Sequence, residues 1–250
     1  EGIAVLTGID ACELYKATAH SFAQILTPPE HAIAFFELPS YKPFPLITRG
    51  SVMQYLRPEY KGQFCPFCLR LDAYHRLIWM PLACAACLQH KCLLVNACPG
   101  CGSEVKITDI TLACCSRCKT DLREGQTISL ESDSFGLYTQ MVIQTWFTEG
   151  INPTSSFASL AEQAPRVLYR LVEGLRHSLI PVNSEWPLFH RIDSQQYLLK
   201  GFSKAHTPPY QNYCLYATAF KGILNWPDGF YSFLTAYRTG PKLSRRRTRQ

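Results

Sequence analysis

The chain has 250 residues, 47% of them hydrophobic and 18% charged, a composition that fits a folded globular protein and excludes a disordered one. No run of 18 apolar residues occurs, so a membrane-spanning helix is not expected. The net charge of +6 is uneven: residues 1–150 carry 12 Lys+Arg against 14 Asp+Glu, residues 151–250 carry 13 against 5, and a polyanion would be drawn to the second half.

The opening "EGIAVLTGID" has no basic n-region followed by an apolar stretch, so a secretory leader is not expected, and the missing initiator Met points to a processed or partial chain. Residues 10–26 predict a helix: Asp10 and Glu13 have capping-box spacing, and Leu14, Phe22, Ile25 and Leu26 form a rough stripe. Residues 27–63 ("TPPE", "LPSYKPFPL") predict an ordered connection with little regular structure. Residues 1–63 thus form an N-terminal helical and Pro-rich segment. Residues 64–125 are a cysteine block, in which "YHRLIWMPLA" is expected to be extended.

Helices are expected again at 133–147, with Tyr138, Met141, Val142 and Thr145 on one face and Trp146 alongside. A second spans 166–179, where Leu168, Leu171, Val172, Leu175 and Leu179 follow the helical period and Arg166, Arg170 and His177 lie on the other side. Others follow near 193–203, at 213–224, and from Pro227 to Gly240, the last burying Phe230, Phe233, Leu234 and Tyr237. Residues 151–156 read as a linker, 126–240 as a helical C-terminal domain, and 241–250 as a basic tail. The last two helices suggest a helix-turn-helix, but Asp228, Ser232, Thr235 and Arg238 are a thin outward set, so simple helix-hairpin packing is favoured. The fold class expected is mainly α with small β zinc-ribbon elements: tandem zinc fingers joined to a helical C-terminal half.

The cysteine block carries the chemistry. Four pairs follow in order: Cys65/Cys68, Cys87/His90, Cys98/Cys101 and Cys115/Cys118. Two intervening residues let a tight turn aim both side chains at one ion, and Zn²⁺ takes four N/S ligands in a tetrahedron. Read sequentially, the spacings are C-x2-C-x18-C-x2-H and C-x2-C-x13-C-x2-C. In "CPGCG" proline bends the chain and glycine permits positive φ after the second ligand. Two complete ligand sets imply two structural zinc ions rather than a catalytic one, which would keep an open position. H-E-x-x-H, the zinc-deaminase pattern and G-x4-G-K-[ST] are absent, so no catalytic residue is assigned and no enzyme is expected. Paired cysteine spacing reads as metal binding in a reducing compartment. Cys12, Cys84, Cys92 and Cys214 are read as packing residues, Cys114 as a poorer ligand than Cys115, and His75 as hydrogen-bonded or exposed.

The stretch "FCPFCLRLDAYHRLIWMPLACAACLQHKCLLVNACPGCG" resembles the zinc-finger core of the TniQ family: a C-P-x-C-L knuckle, Tyr-His-Arg-x-x-Trp, C-x-x-H, then Leu-Leu and C-P-x-C-G. "LNWPDGFYSFL" is similar to a stretch of longer members, including the TnsD branch. The resemblance implies a non-enzymatic target-selection protein of a transposon, acting in bacterial cytoplasm on nucleoid DNA. Its partners would be double-stranded DNA, the AAA+ ATPase TnsC that recruits the transposase, and, in CRISPR-associated transposons, an RNA-guided effector. The helical second half departs from the shortest members.

For nucleic acid, the candidate phosphate contacts are Arg166, Arg170, Lys200, Lys204, Arg245, Arg246, Arg247 and Arg249. Two other readings remain. One is a RING-like ubiquitin ligase module, whose cross-brace pairs the first couple with the third; the seven residues between His90 and Cys98 disfavour it. The other is a stand-alone zinc-dependent DNA-binding regulator.

Overall fold

A computed structural model describes residues 6–27, 34–36, 44–46, 55–57, 61–148, 165–180, 186, 188–192 and 208–240. Asp10 opens helix α1 (Ala11–Lys16), its carboxylate accepting the Cys12 N–H at 2.8 Å. The single helix expected over 10–26 is instead three pieces: α1, a 3-10 turn at Ala19–Phe22, and the one-turn α2 (Ala23–Leu26). Thr18 breaks it. Its backbone is extended (φ −111°, ψ 157°), and its hydroxyl donates to the Tyr15 carbonyl at 2.8 Å. Such local bonding competes with the helix ladder.

In the connection expected to hold little regular structure, β1 (Ala34–Phe36) and β2 (Phe44–Leu46) pair antiparallel, Phe35 opposite Pro45. The cysteine block holds α3 (Pro66–Leu71), β3 (Ala86–Cys87), β4 (Cys92–Leu93) and α4 (Ile107–Thr111). The segment expected to be extended, 74–83, contains a 3-10 turn at Leu77–Trp79 that buries Trp79. Four helices follow: α5 (Ser134–Thr148), α6 (Pro165–Leu179), α7 (Pro209–Lys221) and α8 (Asp228–Thr239). Helix α7 starts four residues earlier than expected, because Pro209 suits a first turn whose N–H groups have no helical acceptor. The architecture is mainly α with small two-stranded elements, as expected. The helix expected near 193–203, the linker 151–156 and the tail 241–250 lie outside the described residues.

The stripe on α6 is buried as the period predicts, except that Leu171 is half-buried. On α5 the buried face differs from the expected one: Met141 is exposed, while Gln140, Ile143, Gln144 and Phe147 are buried. The two glutamines explain the shift. Gln140 Oε1 accepts the N–H groups of Ala85 (2.8 Å) and Ala86 (3.2 Å), and its Nε2 donates to the Ala83 carbonyl at 3.0 Å. Gln144 Nε2 donates to the Ala86 carbonyl at 2.8 Å. Buried backbone polar groups must find partners, and here a helix supplies them to the segment leading into β3. Helix α8 buries only Phe233, edge-on to Trp186 at 5.3 Å, and Leu234 is exposed rather than in the core.

Two buried clusters result. The larger gathers Phe22, Leu26, Tyr55, Ala83–Ala86 and the inner faces of α5, α6 and α7. The smaller lies beneath the cysteine pairs and contains Phe64, Leu69, Trp79, Val105, Ile110 and Leu122. Gln63, fully buried, joins them by donating to the carbonyls of Trp79 (2.7 Å) and Cys84 (2.8 Å).

Candidate metal centre

Each of the four pairs sits on a turn whose backbone brings two side chains together. Cys65 is the N-cap of α3, Pro66 takes the first helical position, and Cys68 follows three residues on, on the same face. The other three pairs use a second device. The residue after the second ligand adopts positive φ: Lys91 at 43° after His90, Gly102 at 67° after Cys101, and Lys119 at 63° after Cys118. The chain then turns back on itself, and Gly102 N–H donates to the Cys98 carbonyl and Lys119 N–H to the Cys115 carbonyl, both at 2.9 Å. The glycine expected to need positive φ does so; at the other two turns lysine bears the strain.

The ligand atoms form two groups, each with all four atoms within 4.8 Å of one another: Cys65, Cys68, Cys87 and His90, then Cys98, Cys101, Cys115 and Cys118. A tetrahedral ion with Zn–S of 2.3 Å places sulfurs about 3.8 Å apart, and a sulfur and an imidazole nitrogen about 3.6 Å apart. Cys68 and Cys87 are 3.6 Å apart, Cys98 and Cys118 3.5 Å, Cys101 and Cys115 3.8 Å. His90 Nδ1 lies 3.5, 3.3 and 3.6 Å from the sulfurs of Cys65, Cys68 and Cys87. Disulfides need about 2.05 Å, so the cysteines are free, and these separations match the edges that a tetrahedral ion would require. Both sets offer four protein donors and so fit a metal ion in closed coordination. The grouping is sequential, which removes the cross-brace pairing that a RING-like module requires.

Backbone amides favour the thiolate form at Cys98 and Cys115, but burial still holds the Cys98 thiol up at about 11. Gly100 N–H points at Cys98 Sγ from 3.4 Å. The Cys115 thiol is brought down to about 6, first by the backbone N–H of Cys118, then by that of Arg117, against the opposing effect of burial. In the first group Cys87 is strongly lowered by hydrogen bonds from Cys65 and Cys92. The groups differ in exposure: Cys65, Cys68 and Cys87 are buried and His90 half-buried, whereas Cys101 and Cys118 are exposed.

Two residues beside the ligands escaped the sequence reading. Cys92, assigned to packing, lies with its Sγ 3.6 Å from that of Cys65, across the β3–β4 ladder from Cys87. Its contacts with Cys65 and then Cys87 push its own thiol up. A hairpin read around His90 and Lys91 would have placed it there. Asp109, buried at the start of α4, accepts the N–H of Lys106 (3.0 Å) and of Ser116 (3.2 Å), tying α4 to the Cys115/Cys118 turn. Cys84 and Cys214 are fully buried as expected. Cys12 is half-buried on α1 rather than in the core. His75 lies edge-on to Trp79 at 5.8 Å and joins neither group.

The candidate phosphate contacts are less concentrated. Arg170 lays its guanidinium over the Tyr55 ring, 4.6 Å from its centre, and Arg166 is half-buried one turn away. Lys200, Lys204, Arg245, Arg246, Arg247 and Arg249 lie outside the described residues. His177, expected opposite the apolar stripe, approaches Glu173 at 3.3 Å. No helix among the described residues is long and apolar enough to cross a membrane.

No curated protein and no solved structure matches the chain. A family model, TniQ, matches residues 1–94. That span holds all four donors of the first group and none of the second, ending just past β4. Residues 1–94 are thus similar to the TniQ family, in agreement with the resemblance carried by the first paired Cys/His turns.

Proposed function

We propose that the protein is a zinc-dependent target-selection adaptor of a transposon. It would hold two structural zinc ions through the two donor groups, associate with double-stranded DNA through its basic second half, and recruit the AAA+ regulator TnsC so that the transposase inserts nearby. The observation that carries this reading is the TniQ match over residues 1–94, which runs through the whole of the first closed donor set. Closed coordination supports a shaping role for the ions, since a catalytic zinc keeps a position for water. The 13 Lys+Arg against 5 Asp+Glu in residues 151–250 support DNA as a partner. An RNA-guided effector is the alternative source of target choice.

The test is DNA binding by the purified zinc-loaded protein, with and without TnsC. Co-assembly on DNA that requires both proteins supports the adaptor reading. Binding to DNA with no effect on TnsC loading supports a stand-alone regulator. Sequence-specific binding by the protein alone would place site reading in this chain, and its absence would place it in an effector.

A further inference from the structure

The Tyr-His-Arg-x-x-Trp segment, residues 74–79, contributes nothing to metal ligation. It forms one wall of a groove of about 620 Å³, whose other walls are α1, the turn before α2, and the C-terminal end of α5. The floor is apolar and aromatic: Phe22, Ile25, Leu77, Ile78, Trp146 and Phe147. Tyr74, 49% exposed, and Gln24, exposed, stand at the rim. The volume lies in the range of pockets that bury several side-chain-sized groups.

The charges among the groove's described lining residues have one sign. Lys16 and Arg76 line it, and none of its described lining residues is acidic. Lys16 is already paired with Glu13 at 2.7 Å. Arg76 is the stronger anchor. Its guanidinium is held between the rings of Tyr74 (4.7 Å) and Trp79 (4.9 Å), and its Nη1 has no hydrogen-bond partner. A stacked, pre-oriented guanidinium loses little freedom when it takes a carboxylate on its groove-facing edge.

From this juxtaposition we infer that the groove is a docking site for a short acidic–apolar peptide segment of a partner protein. The peptide places an apolar side chain against Phe22, Ile25 and Trp146 and a carboxylate on Arg76. Nucleic acid is disfavoured: it needs several phosphate contacts, and the groove offers one cation not already paired within its own helix. Apolar anchors in a groove with one polar fixing point are the pattern of peptide recognition. The inference is separate from the adaptor reading, since it names no DNA contact and is read without DNA.

The experiment uses the full zinc-loaded chain and three fluorescein-labelled dodecapeptides, alternating Glu with Leu/Phe, Lys with Leu/Phe, and Glu with Ser, followed by fluorescence polarisation. The Glu–Leu/Phe peptide is expected to bind at least tenfold more tightly than the other two. Gln24→Trp, which fills the groove from an exposed rim position, and Arg76→Gln are each expected to weaken it at least tenfold. Zinc content and thermal melting report whether each variant is folded; if Arg76→Gln is not, Gln24→Trp decides alone. Equal binding of the Lys or the Ser peptide overturns the proposal, as does unchanged affinity in Gln24→Trp. Binding of none of the peptides, or only of a single-stranded oligonucleotide, overturns it as well.

Discussion

Cys98 tests what one residue contributes to the proposed closed metal site. It is buried, its sulfur takes the Gly100 amide, and it is one of only four donors to its group. Structural zinc contributes about 10–16 kcal/mol of folding free energy in small domains, so Cys98→Ala should lose about one zinc per chain and unfold the second group. A variant with unchanged zinc content by mass spectrometry would overturn that assignment. Gly102 is a milder case. A Cβ there meets nothing within 4 Å, but φ is +67°, so Gly102→Ala should cost only the left-handed strain, about 1–2 kcal/mol, read as a lowered melting temperature with zinc retained. Glu173 tests burial of charge. Burial pushes its carboxyl up, but His177, Arg176 and Tyr216 outweigh that and hold it at about 2, with Arg176 Nε at 3.0 Å. Its contribution to stability is therefore complete above the ordinary glutamate range near 4.5 and is lost as pH falls toward 2. Melting temperature against pH should fall through this window in the wild type and less steeply in Glu173→Gln. At neutral pH the variant should lose about 3–5 kcal/mol, because Arg176 is left buried without its carboxylate.

At the scale of elements, the junction between α5 and the Ala83–Ala86 segment is polar where the sequence pattern suggested an apolar helix face. Gln140 alone satisfies two amides and one carbonyl. Gln140→Ala should destabilise by about 1–3 kcal/mol. Hydrogen exchange should show the loss first at Ala85 and Ala86; unchanged protection there would show that water replaces the side chain. The two donor groups form a second comparison of elements. Cys101 and Cys118 are exposed while three donors of the first group are buried, so a chelator should strip the second group first. Two resolved steps in a zinc-release trace, the earlier one assigned by Cys115→Ser, would establish the order; a single step would contradict it.

For the whole molecule, the larger core joins residues from the N-terminal segment, the metal-binding block and the C-terminal helices. The adaptor reading places DNA on the basic second half, and phosphate contacts make affinity depend steeply on salt. Affinity for a duplex should fall by orders of magnitude between about 50 and 200 mM salt if six or more contacts form. A flat response would remove DNA from the proposed partners of this half, while leaving the metal groups and the peptide groove untouched.

The two groups of candidate donors were legible in the sequence because a two-residue spacing constrains two side chains almost by itself, and the α6 stripe because a helical period needs no partner to define it. The glutamine face of α5 and the thin burial of α8 were not, since each depends on what lies across the contact, and the local bond by which Thr18 breaks the first helix was hidden by an otherwise helical stripe. The seven residues between His90 and Cys98 already disfavoured a cross-brace, and the grouping of the donor atoms into Cys65, Cys68, Cys87 and His90, then Cys98, Cys101, Cys115 and Cys118, agrees with the sequential pairing. Only the tertiary structure could bring Arg76 beside α1 and α5, because the residues of that groove lie up to 133 positions apart in the chain, from Tyr15 to Thr148, and no local pattern encodes such a meeting.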